Sequence, residues 1–441
     1  MSRRDNHFDS LVSRLDDLLA PCLARDWPNL AVDRAEGCYL YGRDGRRYLD
    51  FLAGFSVSNI GHNHPGVIAA AQAQMSKMIH VPMGVTNYES LLFLAEELGK
   101  IMPGNASSFF FGNSGTEAID AAIKLARHYT RRRGIIAFIG GFHGRSLGAT
   151  AVGSSKARYR TGHGPFIPDV YFSQFPYPFR SATPDNSEAC CQAALDELLR
   201  LLEYVIEPEE VAAILVEPIQ GEGGYIIPPR GWLAELRKIC DQYGILLVFD
   251  EIQTGFGRTG EWFAADTFSV DPDIMCIAKA IANGFPLGAI AARPEIMKSW
   301  GPLSHGTTFG GNPIACAAGL AVIEIIRNEH LLEKAREHGA YMLEKLHALK
   351  KRSSIIGDVR GIGLMIAVEF VKPDTNKEAN SESVRGILQN CLDKGLLLYP
   401  CGHWNQTIRL IPPLVINRNQ IDEGLEIFSE AVLEAQESHK P

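Results

Sequence analysis

The chain has no excess of positive charge, no pairing pattern among its cysteines and no long apolar run. Lys plus Arg number 43 against 51 Asp plus Glu, a net charge of −8. A chain of that sign has no global field to recruit nucleic acid or an anionic membrane. Its nine cysteines are scattered, odd in number and form no CxxC, which speaks against a disulfide framework or a zinc ribbon. A reducing cytoplasm is the expected compartment. Met1-Ser2-Arg3-Arg4-Asp5 is polar and Asp9, Asp16 and Asp17 interrupt the segment behind it, so no export signal is expected. No stretch approaches the roughly 20 apolar residues that span a bilayer; Gly244–Phe249 is among the longest. Repeats and low-complexity tracts are also missing. What remains is a soluble composition, 46% apolar and 21% charged. At about 150 residues per domain, 441 residues suit two or three lobes.

The first 50 or so residues read as a short amphipathic helix followed by a hairpin, Cys38 to Asp50, with Arg43-Asp44-Gly45 as its turn. From about residue 105, short apolar strands alternate with helical stretches. The strands expected are Ser108–Phe111, Ile135–Ile139, Ala212–Val216, Leu246–Asp250, Ile274–Ala278 and Leu287–Ala291. Each is continuously apolar, as a strand covered on both faces must be. The helix after Ser114 carries apolar residues at 119, 122, 123 and 126, a stripe on one face. Such alternation predicts a mostly parallel α/β sheet. Beyond about residue 320 the texture becomes that of a smaller α+β lobe. There the pattern predicts a helix from Pro313 to Asn328, then another, and a strand Gly363–Phe370. A helix near 383–394, strands near 396–399 and 406–411 and a last helix from Asn419 follow.

Three segments could carry chemistry. In Phe111-Gly-Asn-Ser-Gly-Thr-Glu117 a strand runs into an S-x-x-E capping box. A helix N-terminus presents unpaired N–H groups to an anion such as phosphate, although a plain helix cap reads the same way. The P-loop lysine and the GxGxxG spacing are both missing, which turns the reading away from nucleotides. Asp250 ends a fully apolar strand, where a carboxylate is costly unless a cation or donor meets it; a turn cap is the alternative. Lys279 has apolar residues on both sides, a setting that lowers an amine's pKa and suits a Schiff base, unless the side chain snorkels to water. Together the three match what pyridoxal phosphate needs: a phosphate cradle, a carboxylate for the pyridinium nitrogen and an amine for the aldehyde.

With these residues in place, the sequence resembles the class III aminotransferases of pyridoxal-phosphate fold type I, from about residue 35 to 430. The segments that carry the likeness are Asn113-Ser-Gly-Thr-Glu-Ala118, Gly141-Phe-His-Gly-Arg145, Val216-Glu-Pro-Ile-Gln-Gly-Glu-Gly223, Asp250-Glu-Ile-Gln-Thr-Gly-Phe-Gly-Arg-Thr-Gly260, Lys279, Thr307-Thr-Phe-Gly-Gly-Asn-Pro313 and Ile408-Arg-Leu-Ile-Pro-Pro413. The resemblance implies a large cofactor-binding domain (56–320) with a mostly parallel central sheet. It also implies a small α+β C-terminal domain (321–441) against which the N-terminal segment (1–55) packs. Lys279 resembles the lysine that carries the cofactor and Asp250 the partner of its ring nitrogen. Gly115 and Thr116 would hold the phosphate, Phe142 and Ile252 would cover the two ring faces, and Gln253 would sit near the ring hydroxyl. Glu217 looks like the companion carboxylate beneath the ring. Thr308 resembles a threonine that reaches the phosphate from the neighbouring subunit, which implies a homodimer with shared active sites.

The likeness extends to substrate recognition. Arg409 resembles the arginine that grips the α-carboxylate of glutamate or 2-oxoglutarate, and Glu222 the glutamate that pairs with it when no carboxylate is bound. Arg145 matches the residue that binds a distal carboxylate in 4-aminobutyrate and ornithine enzymes. Phe55 stands where ornithine aminotransferases have a tyrosine, which favours 4-aminobutyrate or a similar ω-amino acid as donor. Yet Phe55 is larger than the aliphatic residue of bacterial 4-aminobutyrate enzymes. The expected activity is therefore amino transfer from an ω-amino acid to 2-oxoglutarate, with a racemase or epimerase of the same class, or an acetylornithine or ornithine aminotransferase, as the alternatives. Arg131-Arg-Arg133 is read as complementing a helix dipole, His62 and His64 as turn residues rather than metal ligands, and Cys190-Cys191 as inert.

Overall fold

The computed structural model describes residues 5–23 and 30–437. Near the N-terminus lie β1 (Val32–Glu36), β2 (Tyr39–Gly42) and β3 (Arg47–Asp50). The β2–β3 turn forms where expected: Gly45 is left-handed at φ +83° and Asp44 Oδ1 accepts from the Arg46 amide at 2.9 Å.

The centre is a seven-stranded sheet of β4 (Ser108–Gly112), β5 (Gly134–Phe138), β6 (Val170–Ser173), β7 (Val211–Val216), β8 (Leu246–Asp250), β9 (Ile274–Ile277) and β10 (Gly288–Ala292). Its spatial order is β4-β10-β9-β8-β7-β5-β6, parallel except for β10, which is antiparallel to both neighbours. Successive residues of a strand serve opposite faces. Ile214, Val216, Leu247 and Phe249 join the cluster containing Trp232 and Leu236. Ala213, Leu215, Leu246 and Val248 join the helix Gly115–Thr130 on the other face. Strands sandwiched in this way have no polar face, which is why their sequences do not alternate.

Two strands depart from expectation. β6 lies at the sheet edge behind Pro168 and Asp169, too short and too close to turn residues to announce itself. β11 (Ile356–Ile362) carries Gly357, Asp358, Arg360 and Gly361 yet pairs antiparallel with β12 (Met365–Phe370). The remaining strands are β13 (Leu396–Leu397), β14 (Tyr399–Cys401) and β15 (Thr407–Leu410). The expected strand near 396–399 is in fact divided: β13 pairs with β3, whereas β14 joins a second sheet of order β11-β12-β15-β14. The chain around Phe51 links the two sheets, its N–H donating to Leu397 O at 3.0 Å and its carbonyl accepting from Ile411 N at 2.9 Å.

Arg131–Arg133 differs from its reading as well. Arg131 caps its helix in the left-handed region at φ +61°. Arg132 Nη1 crosses to the carbonyls of Tyr243 and Gly244 at 3.0 and 3.1 Å, at the end of the separate helix Trp232–Tyr243. His62 Nε2 pairs with Asp50 Oδ2 at 2.7 Å, while His64 Nδ1 caps the helix Pro65–Met75 by accepting from Gly66 N. Among the described residues no helix is long and apolar enough to cross a membrane.

Candidate active site

The C-terminal ends of β4, β5, β7, β8 and β9 point the same way, and the start of the antiparallel β10 meets them there. Ligands of open α/β sheets bind at that edge. A cavity of about 600 Å³ opens there. It is lined by Gly115, Thr116, Phe142, Arg145, Glu217, Glu222, Asp250, Ile252, Gln253, Lys279, Arg409 and Phe55, so twelve of the thirteen residues singled out from sequence meet in one place. The exception is Thr308, which is exposed and lines no part of the cavity of its own chain.

Lys279 follows β9 after a single residue, Ala278, in a left-handed conformation at φ +50° that a lysine rarely adopts. Burial drives its amine down from 10.5 to about 8, against the opposing pull of Asp250 and Glu217, and Arg409 adds to the lowering. An amine brought that low keeps a larger neutral, nucleophilic fraction near neutral pH than an ordinary lysine does. Asp250, at the end of β8, is buried but fully engaged. His143 Nδ1 lies 2.8 Å from its Oδ2, and Oδ1 accepts from the Ile252 amide at 3.1 Å. Burial depresses His143, but the hydrogen bond and charge of Asp250 outweigh it and hold the imidazole above its ordinary value. Glu217, after β7, accepts from the amides of Phe142 and Gly221, each at 2.9 Å. Burial pushes its carboxyl up, and the charge of Asp250 adds to the rise.

The capping box forms with a shift. Ser114 Oγ accepts from Glu117 N, but Glu117 Oε2 reaches back to the amide of Asn113 at 2.8 Å. The Gly115 and Thr116 amides have no acceptor among the described residues, as at any helix start. The Thr116 hydroxyl is already committed to the loop after Phe142, accepting from the Arg145 and Ser146 amides at 3.2 and 3.0 Å. Space there is tight: a Cβ on Gly115 would stand 2.9 Å from Ile252 Cδ1, and one on Gly144 2.4 Å from Thr116 Oγ1. Free amides at a helix start, a desolvated amine and an anchored carboxylate on one cavity fit pyridoxal phosphate.

At the other end of the cavity, Arg409 on β15 is almost wholly buried and donates from Nη2 to Glu222 Oε2 at 2.6 Å and to Pro400 O at 2.7 Å. The β14–β15 register pairs it with Tyr399, and its guanidinium lies 5.3 Å from the Phe55 ring centroid. Phe55 packs edge-on against Tyr399 at 5.2 Å. It is held by a left-handed run, Ala53, Gly54, Phe55 and Ser56, with φ between +46° and +65°. Arg145 is exposed, with its guanidinium 3.7 Å from the Tyr159 ring centroid. Sequence reasoning missed His143, Lys156, Tyr159 and Tyr399. Of these only His143 had a signal, as the middle residue of Phe142-His-Gly144.

The family model of class III aminotransferases matches residues 23–432. The 4-aminobutyrate aminotransferase GabT of Escherichia coli (strain K12) is 39% identical over 407 residues, covering 92% of this chain and 94% of that one. An alanine/serine racemase of Pyrococcus horikoshii is likewise 39% identical over 411 residues, 91% of this chain and 85% of that one. An amine transaminase of an uncultivated Pseudomonas species, solved with pyridoxal phosphate bound, superposes with a TM-score of 0.88 at 31% identity, covering 95% and 98% of the two chains. The chain therefore belongs to the class III aminotransferases, pyridoxal-phosphate-dependent enzymes of fold type I.

Proposed function

We propose that this aminotransferase moves an amino group from an ω-amino acid resembling 4-aminobutyrate to 2-oxoglutarate, as a cytoplasmic homodimer. The observation that carries this reading is a pair of arginines on the cavity that contains Lys279. Arg145 is free to take one carboxylate, and Arg409 is kept neutralised by Glu222 at 2.6 Å until a second arrives. A racemase acting on a monocarboxylic amino acid needs one carboxylate anchor; a diacid uses both. A planar guanidinium matches a carboxylate bidentately, and the Glu222 pair spares Arg409 an unpaired buried charge.

Bound pyridoxal phosphate supplies an electron sink for charge that develops at the substrate carbon. Lys279 would hold its aldehyde and would serve as the group that moves a proton at the substrate carbon. Asp250 would pair with the ring nitrogen and favour its protonated form. The amides of Gly115 and Thr116 would take the phosphate, with Thr308 added from a partner subunit. Phe142 and Ile252 would flank the ring, Gln253 would lie near its hydroxyl, and Glu217 would support the site beside them. Residues 56–320 act as the cofactor lobe, with 321–441 and the N-terminal segment as the smaller one.

The experiment is a screen of amine donors against 2-oxoglutarate and pyruvate, with chiral analysis of single amino acids incubated alone. Transfer from 4-aminobutyrate or a similar ω-amino acid to 2-oxoglutarate supports the proposal. Inversion of an amino acid without net transfer contradicts it and favours a racemase.

A further inference from the structure

Lys156 is an unusual lysine. Its side chain is only 6% exposed, whereas lysines almost never lie buried without a partner. It stands just before the short 3₁₀ turn Ala157–Tyr159, which brings Lys156 and Tyr159 to the same carboxylate. Glu222 is thus held at both oxygens. Oε2 belongs to Arg409, while Oε1 lies 3.1 Å from Lys156 Nζ and accepts from the Tyr159 hydroxyl at 3.2 Å. Lys156 also donates to Asn405 Oδ1 at 2.5 Å.

This corner holds two cations, Arg409 and Lys156, against one carboxylate, Glu222. Cys401, which burial pushes up to about 11, and Tyr225, pushed higher still, add no negative charge to these contacts. Arg409 Nε is buried and has no acceptor among the described residues. Arg409 and Lys156 thus share one carboxylate, and a further carboxylate would give each cation its own.

We propose that Lys156 is a positioning residue that gives Glu222 a second seat, so that Arg409 can accept the carboxylate of a dicarboxylic substrate without leaving Glu222 unpaired. This rests on the reading that Arg409 receives a substrate carboxylate. When Arg409 turns to the substrate, Oε1 stays on Lys156 and Tyr159, and the corner reaches two cations against two anions. An amine donor with no carboxylate at this end leaves the Arg409–Glu222 pair closed. Lys156 thereby acts on the diacid half-reaction and spares the donor half. Tyr159, whose ring lies under Arg145, joins the two carboxylate sites through one side chain.

The test uses the holoenzyme with Lys156→Met, Lys156→Gln, Lys156→Arg, Asn405→Ala and Arg409→Ala. Single-turnover half-reactions are measured, together with calorimetric titration of glutarate, an unreactive five-carbon diacid, into apo- and holoenzyme. Lys156→Met should raise both the diacid KM and the glutarate Kd about tenfold or more, with kcat changed less than about threefold. Lys156→Gln serves the same purpose if the Met variant does not fold. The donor half-reaction should change little, Lys156→Arg should restore diacid binding, and Asn405→Ala should leave glutarate binding close to wild type. Equal losses in both halves, unchanged glutarate binding or an Asn405→Ala loss equal to that of Lys156→Met would overturn the proposal. If Arg409→Ala also leaves glutarate binding unchanged, the underlying reading of Arg409 fails instead.

Discussion

His143 Nδ1 stands 2.8 Å from Asp250 Oδ2, with both side chains almost wholly shut off from water. The imidazole gives the Asp250 carboxylate a hydrogen-bond partner at the end of an apolar strand, where a buried polar group without one is costly. Because Asp250 holds His143 above its ordinary value, the pair stabilises the fold below the unfolded-state pKa of about 6.5. That contribution is lost as pH rises through the folded-state value. His143→Gln should therefore cost on the order of 2 kcal/mol of apoenzyme stability near pH 6 and progressively less at alkaline pH. Urea unfolding across pH measures it, and a difference that grows with pH would reverse the sign argued here.

Lys279 should carry the cofactor. Borohydride reduction of the holoenzyme followed by peptide mapping is expected to place the pyridoxyl group on Lys279, and cofactor uptake by the apoenzyme should quicken as pH rises through about 8. A label on another lysine removes Lys279 from its assigned role.

Gly144 has φ +134°, and a Cβ there would meet Thr116 Oγ1 at 2.4 Å and Thr116 Cα at 3.0 Å. Gly144→Ala should lower apoenzyme stability by about 1–3 kcal/mol through backbone strain and displace Arg145, raising the diacid KM. An unchanged melting temperature and KM would mean that the loop relaxes freely.

Thr308 is exposed, and Leu303 and Phe309 on the same segment expose large apolar surfaces. If a partner subunit covers them, sedimentation should find two chains. Mixing Lys279→Ala protein with Thr308→Val protein under subunit exchange should then recover activity, because one site of the hybrid regains both residues. A monomer, or a mixture no more active than its components, contradicts the shared site.

The sheet was legible because β7, and β8 up to Asp250, are continuously apolar, as a doubly covered strand must be. Asp250 and Lys279 stood out because charge in such surroundings has a cost. β6 was hidden by its edge position and length, and β11 by glycines and charges that its antiparallel pairing tolerates. Lys156 and Tyr159 left no local trace. Their meaning comes from Glu222, which is more than sixty residues away in sequence and reaches them only after folding. Tyr399 likewise gains its place from the cross-strand register with Arg409.

Single-turnover kinetics of Arg145→Ala and Arg409→Ala, with each half-reaction followed separately, test the division of labour between the two arginines most directly. Losing one partner of a buried charge pair costs about 2–5 kcal/mol. Arg409→Ala should weaken the reaction with glutamate or 2-oxoglutarate to that extent, and Arg145→Ala, at an exposed position, should weaken it by less. Arg145→Ala should also impair the ω-amino donor, whose one carboxylate lies at the far end from the amine. Arg409→Ala should largely spare the donor, because Glu222 closes on Arg409 in that half. Equal losses with the donor would contradict the account, as would a glutamate half untouched by Arg145→Ala.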